Sequence, residues 1–237
     1  MIEIVKATGD DLQTIHDMAQ VVFRHTYRDI LSLEQMEYMM DMMYSLPNLQ
    51  AQLDEGHHYY IAYMSPDQES SAYQEDSARQ ESSAYQEDSI RQEDSTLRGD
   101  GEACRCNDVA SSDDSASAVC KARASILPVP CGYVSVQHEG PDQDGTEIFH
   151  LHKIYVMPSE QGNGVGRLLF DTAISHVREV AGGRMASVEL NVNRNNPAVG
   201  FYQRLGMRIL SQGDFPIGNG FYMNDYIMGL DITPGYQ

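Results

Sequence analysis

The chain has 237 residues, 41% of them hydrophobic, and a formal net charge of −19 at pH 7. That length can bury a core of its own. So negative a charge disfavours nucleic acid as a partner, because phosphates are bound by basic surfaces. No run approaches the ~20 apolar residues that span a bilayer, and we expect no membrane partner. The first residues are typical of a strand rather than a signal peptide, which predicts a cytoplasmic protein.

The first part of the chain predicts a strand, two helices and a second strand. These are a strand over Ile2 to Ala7, a helix capped by Asp10 and Asp11 that runs to about Phe23, a helix over Leu33 to Met43 capped by Ser32, and a strand over Tyr59 to Tyr63. The helices follow from polar caps placed before apolar residues at helical spacing.

Between residues 65 and 130 the composition changes to mostly Ser, Asp, Glu, Gln, Ala and Arg, with 14 acidic and 6 basic side chains. The stretch Glu69 to Gln80 recurs almost unchanged as Glu81 to Gln92, and a decayed third copy begins at Glu93. Such a segment holds too little apolar surface to offset its ordering entropy. We predict a disordered, low-complexity acidic insertion. We favour a passive surface loop over a partner-binding tail.

Three of the four cysteines, Cys104, Cys106 and Cys120, lie in that polar stretch, and Cys131 opens the next apolar strand. A zinc site needs a second close pair of ligands or flanking histidines. The sequence offers neither, so we predict no metal.

After the insertion, strands and helices alternate. The pattern predicts strands over Cys131 to Val136 and Ile148 to Val156, a helix from Val165 to about Val180, a strand over Ser187 to Val192, a short helix over Pro197 to Leu205, and strands over Met207 to Leu210 and Tyr222 to Leu230. Such alternation indicates a mixed α/β sheet. If the strands flanking the insertion pair as a hairpin, the insertion is a swollen hairpin loop. The predicted domains are one globular domain, 1–64 plus 131–232, and the insertion, 65–130.

A glycine-rich turn, Gln161-Gly-Asn-Gly-Val-Gly166, lies between a predicted strand and a predicted helix. Glycines let backbone amides approach a phosphate closely, and the helix dipole adds to the attraction. The turn is not a Walker loop, because no Gly-Lys-Ser/Thr follows, and its spacing differs from the dinucleotide fingerprint. Alone it indicates a phosphate site only weakly.

A second motif follows roughly thirty residues later, within Asn191 to Met207. Together the two resemble the GCN5-related N-acetyltransferase (GNAT) superfamily, which has Gln/Arg-x-x-Gly-x-Gly/Ala after its fourth strand and Asn-x-x-Ala-x-x-Phe-Tyr-x-x-x-Gly-Phe after its fifth. The matching residues are Gln161, Gly164 and Gly166 in the first motif and Asn195, Ala198, Phe201, Tyr202 and Gly206 in the second, with Met207 replacing the final Phe. The resemblance covers residues 1–64 and 131–232. It implies a mixed, mostly antiparallel sheet that splays between strands 4 and 5 and is flanked by helices.

The resemblance also implies acetyl-CoA as acetyl donor and assigns residues to it. Backbone groups of Ile154, Tyr155 and Val156 would pair with the pantetheine; the turn and helix start, Gln161, Gly162, Asn163, Gly164, Val165, Gly166 and Arg167, would hold the pyrophosphate; Asn195 or Asn196 would bind the pantetheine arm. Tyr202 would protonate the departing thiolate while an amine attacks the thioester directly. Structural interpretations stay open: Tyr202 as a core aromatic, the two asparagines as a helix cap, and Arg167 as a solvated helix residue.

The acceptor side is less defined. In the family, substrate contacts come from the first helices, the turn between them and the last strands, which here are His25 to Arg28, Glu34, Gln35, Met39 to Tyr44 and Tyr222 to Asp225. Tyr27, Tyr44, His150 and Asn191 are our candidate substrate residues. Candidate bases are His150 and His152, which share a face of one strand, and Glu189, which shares a face of the next strand with Asn191 and Asn193; the sequence singles out none of them.

The acceptor class follows from weaker signals. The acidic balance, and a faint resemblance of Phe221 to Met228 to the end of bacterial polyamine acetyltransferases, favour a polyamine or similar small primary amine. Acetylation of a protein N-terminus or lysine is an alternative, as is a non-catalytic acyl-CoA sensor whose repeats bind a partner. The sequence leaves the oligomeric state open, a homodimer included.

Overall fold

A computed structural model describes residues 1–65 and 127–234. The repeats and Cys104, Cys106 and Cys120, and with them the prediction of a disordered insertion, lie outside the described residues. The segments Ile2–Met64 and Pro128 onward belong to one compact unit.

Seven strands and five α-helices form the described part of this unit. They are β1 (Ile2–Lys6), α1 (Leu12–Tyr27), α2 (Leu33–Tyr44), α3 (Leu46–Asp54), β2 (His57–Met64), β3 (Val129–Pro141), β4 (Glu147–Val156), α4 (Val165–Ala181), β5 (Ala186–Asn193), α5 (Ala198–Arg204), β6 (Arg208–Gly218) and β7 (Phe221–Ile232). Each predicted helix and strand is present, with shifted ends. Helix α3 was not predicted, although Leu46, Leu49 and Leu53 recur at helical spacing; the helix has nine residues and buries Leu49 fully.

The first residues of α2 and α1 show how well the predicted helix caps match the structure. Ser32 caps α2 as predicted, its Oγ accepting the Gln35 amide at 3.2 Å. The prediction for α1 needs correction, because Asp11 ends a 3₁₀ turn over Gly9–Asp11 and makes no side-chain cap there. Instead the Asp11 carboxylate accepts the Thr8 amide at 2.8 Å and closes a capping box around that turn.

The strands form one sheet in the order β1-β2-β3-β4-β5-β7-β6. Neighbouring strands pair antiparallel except β4 and β5, which are parallel. The predicted hairpin is confirmed, because β2 and β3 pair directly. Pairing of β4 with β5 extends only from Glu147 to His150, and the two strands separate beyond it. The predicted mixed, mostly antiparallel sheet that splays between strands 4 and 5 is therefore confirmed.

The sheet buries a different core on each face. Side chains of α4 and α5 pack on one face with Phe149, Leu151 and the even-numbered core residues of β5. Helices α1, α2 and α3 cover the other face, where Tyr155 is part of the core. A bulge explains the switch within β4: His152 is skipped in the pairing with β3, which turns the residues after it to the opposite face.

Candidate functional site

A cleft of about 730 Å³ opens where β4 and β5 separate. It is lined by the end of α1, the second half of β4, the turn after β4, the first turn of α4, the end of β5 and helix α5. Most of the predicted site residues lie on its wall: Tyr27, Ile154, Tyr155, Val156, Gln161, Gly162, Gly164, Gly166, Arg167, Asn191, Asn195, Asn196 and Tyr202.

One wall of the cleft is an unpaired strand edge. From Leu151 to Val156, the β4 edge that faces β5 has no strand partner among the described residues, although β3 pairs with the opposite edge. Backbone donors and acceptors on such an edge can pair with an extended ligand as an added strand would. The pantetheine arm of acetyl-CoA, which carries two amides, has the groups to do so.

The glycine turn forms the next part of the wall. Gly162 and Gly164 have φ values of +88° and +83°, a region that side chains with a Cβ rarely adopt. Gly164 is also the N-cap of α4, so the first amides of that helix have no intrahelical acceptor. A Cβ at Gly166 would lie 3.3 Å from the ring of Phe201, which explains how α4 and α5 approach closely here. The turn suits a diphosphate, because free amides and a helix N-terminus converge on it.

The Arg167 side chain forms an exposed ion pair on the surface. Its Nε donates to both carboxylate oxygens of Asp171 at 3.0 and 2.8 Å, and both side chains are largely exposed. An exposed pair of this kind contributes little stability, so the guanidinium can still turn towards a phosphate. Arg204, which the sequence did not single out, supplies a second cation on the cleft wall.

Tyr202 lies on the cleft wall near Tyr27. It is 7% exposed and also belongs to the core cluster that α4 and α5 form. Burial raises the pKa of the Tyr202 phenol, and nearby Tyr27 raises it further. The phenol therefore keeps its proton at neutral pH, which is the form a general acid needs.

Polar groups surround Tyr27 at the other end of the cleft. Burial raises the pKa of Tyr27, whereas side-chain hydrogen bonds from Tyr155 and Asn196 lower it. Asp225 on β7 is close enough to raise it electrostatically. Burial raises the pKa of the Asp225 carboxyl to about 6, although Asn191 and Arg194 oppose the rise. This end of the cleft is thus lined by side chains of α1, β4 and β5, with Asp225 of β7 close to Tyr27.

The histidines and the lysine of β4 are desolvated. Burial lowers the pKa of His152 to about 2, with His150, His57 and Lys153 adding to the effect. His152 Nε2 bonds Gln137 Oε1 at 2.9 Å, so its proton is on Nε2. Burial also lowers the pKa of Lys153 to about 7; its Nζ donates to Gln52 at 2.6 Å and lies over the rings of Tyr44 and Tyr59. A histidine this hard to protonate is a poor proton acceptor.

Four predicted residues do not line the cleft. Tyr44 is fully buried in the core, where its ring packs against Phe23 and Tyr133, so it is a packing residue rather than a pocket residue. Val165 is buried at the start of α4. The Asn163 side chain donates to Glu160 at 3.3 Å. The His150 ring lies 4.5 Å from the His152 ring, centroid to centroid, and is tilted by 44° to it.

Sequence reasoning missed several residues of the cleft wall. Lys153 and Leu151 line the cleft. Their placement depends on the bulge at His152, which the alternation of residues along a strand does not predict. Asp29 and Ile30 lie just after α1, whose predicted end was too early. Asp225 was included only within a broad range, and its burial follows from pairing between distant strands.

A splayed strand pair, a glycine turn at a helix N-terminus and a buried phenol on the wall of the same cleft define a class: acyl transferases that bind an acyl-CoA. The chain matches the model of the acetyltransferase (GNAT) family over residues 71–207, more than half its length, and it belongs to that family. It is therefore an acetyl-CoA-dependent N-acetyltransferase, and acetyl-CoA is its acetyl donor. A search of curated protein sequences finds no match.

Solved structures share the fold at low sequence identity. The PaiA N-acetyltransferase from Thermoplasma acidophilum, solved with coenzyme A, has a TM-score of 0.56 and 16% identity, covering 97% of this chain and 98% of that one. Arabidopsis thaliana NAA60 in complex with a bisubstrate analogue has a TM-score of 0.53 and 14% identity, covering 99% of this chain and 100% of that one. The ribosomal-protein-S18-alanine N-acetyltransferase from Escherichia coli has a TM-score of 0.52 and 14% identity, covering 100% of this chain and 97% of that one. In the part of the chain that the structure describes, no helix is long and apolar enough to cross a membrane.

Proposed function

We propose that this enzyme transfers the acetyl group to a small primary amine, such as a polyamine, by direct attack, with Tyr202 as general acid. One observation carries the proposal: the donor turn, Tyr202 and the polar groups around Tyr27 line one continuous cleft. Donor and acceptor can then meet without a covalent enzyme intermediate. No cysteine or serine is among the described residues of the cleft wall, which supports this route.

Each group on the wall has a part in the proposed reaction. Bound acetyl-CoA would supply an activated acetyl thioester at the point where the strands separate. The free edge of β4, at Ile154 to Val156, and the asparagines Asn195 and Asn196 would hold the pantetheine arm. The amides from Gly162 to Gly166, with Arg167 and Arg204, would bind the pyrophosphate. Tyr202 Oη would donate its proton to the leaving sulfur.

The proton lost by the amine needs an acceptor, and His152 is unsuited to that role because its pKa is about 2. Water in the open cleft can take the proton. A cationic acceptor is favoured by the net charge of −19, and by Asp225 near the acceptor end. Acetylation of a protein N-terminus or of lysine shares this chemistry and differs in the size of the acceptor.

A thiol-release assay tests the proposal. The full chain is incubated with acetyl-CoA and, separately, with spermidine, putrescine, a peptide with a free N-terminus and a lysine peptide blocked at its N-terminus. We expect the highest kcat/KM with a small amine. Preference for either peptide would overturn the small-amine assignment, and release with none of the acceptors would overturn direct transfer to amines of these classes.

A further inference from the structure

Asp225 occupies a buried position beside the acceptor end of the cleft. It is 6% exposed and lies opposite Asn193 in the antiparallel pairing of β5 with β7. Asn191 is then its diagonal neighbour on the same face, within reach of a side-chain contact. Leu190 and Val192 point to the opposite face, where they join the core with α4. Asp225 and Asn191 therefore face the helices α1 to α3.

Two other polar side chains near Asp225 have hydrogen-bond or ion-pair partners of their own. The Asn193 side-chain oxygen accepts the Asn195 amide at 3.0 Å. Arg194 forms an ion pair with Asp214. Oδ1 of Asp225 is buried and has no hydrogen-bond partner among the described residues, an arrangement that is unfavourable unless it serves a purpose. Asn191, the diagonal neighbour on the same face, is the polar side chain that lowers the pKa of the Asp225 carboxyl most.

The chemistry of the two groups fixes the orientation of the amide. An ionised carboxylate only accepts hydrogen bonds, so Asn191 must present its NH₂ group to Asp225. Asn191 is exposed and lines the cleft. Its carbonyl oxygen is then available on the cleft side, and a carbonyl oxygen accepts hydrogen bonds from an ammonium group.

We propose that Asp225 is a positioning residue, which holds the Asn191 amide so that the Asn191 carbonyl oxygen binds the ammonium group of the acceptor. The identity of the bound group rests on the proposed function. The orientation of the amide does not, and it can be tested separately.

The arrangement has a built-in pH dependence. The charged or titratable groups that act on Asp225 are Tyr27 from α1 and Arg194 after β5, with Asp214 of β6 paired to Arg194. Above its pKa of about 6 the carboxylate only accepts. Below this pKa, the carboxylic acid can donate to the Asn191 carbonyl oxygen, and the Asn191 amide group flips. A primary alkyl amine stays protonated on both sides of this pKa. Weaker acceptor binding at low pH therefore comes from Asp225 alone.

Nuclear magnetic resonance tests the orientation without any substrate. The side-chain NH₂ signals of Asn191, assigned by their loss in Asn191→Asp, are followed from pH 4.5 to 8 in the full chain. We expect them to shift with a midpoint at about pH 6, and to stop shifting in Asp225→Asn. Signals that do not titrate in the wild type would overturn the proposal, as would signals that still titrate in Asp225→Asn. The wild-type titration decides the matter even if that variant fails to fold.

Kinetics with spermidine test the consequence for the acceptor. At pH 7.5 we expect Asp225→Asn and Asn191→Ala each to raise the KM for spermidine about tenfold, as loss of one charge-assisted hydrogen bond would. The double variant should be no worse than Asn191→Ala, because both changes remove one contact. The kcat and the Kd for acetyl-CoA should stay within about twofold. Asp231→Asn, an exposed position on β7 paired with Arg208, is the control.

The outcomes separate the two proposals. Additive effects of the two substitutions, or an unchanged KM in Asp225→Asn, would overturn the positioning role. Absence of any turnover with spermidine would instead count against the polyamine acceptor, while the resonance titration still decides the orientation of Asn191.

Discussion

The two halves of the cleft are built in different ways. The donor half consists of backbone: an unpaired edge of β4 and a turn whose glycines have φ values of +88° and +83°. The acceptor half consists of side chains from α1, β4 and β5, several of them buried and ionisable. A site made of backbone amides depends on chain geometry and suits a constant ligand such as acetyl-CoA. A site made of side chains can be altered by single substitutions, which is where substrate choice is expected to reside.

The largest effect on turnover is expected at Tyr202, which lines the cleft. Tyr202→Phe removes the proposed acid but keeps the ring, so kcat should fall about 10²- to 10⁴-fold, the range of general acid–base catalysis. Calorimetry should give an unchanged Kd for acetyl-CoA. Tyr226→Phe on β7, whose ring packs with the α4 core, is the matched control. Unchanged turnover in Tyr202→Phe would contradict the acid role.

A smaller effect is expected from the backbone of the donor half. Gly164→Val forces a β-branched residue to φ +83°, at a conformational cost of about 1–2 kcal/mol. If the turn relaxes away from that conformation, affinity for acetyl-CoA falls about tenfold. Gly183→Val is closely matched, because Gly183 also has φ +83° and open space around its Cβ position but lies away from the cleft. Equal loss of affinity in both variants would show that strain alone is responsible.

The buried Lys153 of the acceptor half should make the free energy of unfolding depend on pH. The pKa of Lys153 is about 7 in the folded chain and near 10.4 in an unfolded one. Between these values the unfolded state binds more protons, so wild-type stability should rise with pH, by at most about 1.4 kcal/mol per pH unit. Lys153→Met should lose this slope in urea unfolding at pH 7, 8 and 9. Lys6→Met, at an exposed lysine of β1, should keep it; equal slopes in all three proteins would contradict the desolvation of Lys153.

The smallest effect is expected at the exposed rim of the donor half. Asp171→Asn frees Arg167 from its ion pair, and affinity for acetyl-CoA should rise no more than about twofold, because exposed helical pairs of this spacing contribute about 0.3–0.5 kcal/mol. The gain should disappear at high salt. A gain that persists in 1 M salt would argue against a screened phosphate contact.

The same contrast explains what the sequence could predict. The donor half was accessible because its parts are local: Gln161 to Gly166 and Asn195 to Tyr202 are short motifs that lie next to predicted elements. The acceptor half depends on contacts between distant segments. Lys153 reaches its face through a bulge, and Asp225 meets Asn191 through the pairing of β5 with β7. Tyr44 is of a residue type that often lines pockets, but it packs in the core because it lies on the inner face of α2.

The central claim is that acetyl-CoA occupies the free edge of β4 and the glycine turn. Hydrogen exchange followed by mass spectrometry, with and without acetyl-CoA, tests it most directly. We expect added protection in peptides covering residues 151–166 and little change in β6 and β7. Protection confined to β6 and β7, or no protection of the β4 edge at saturating acetyl-CoA, would contradict this account.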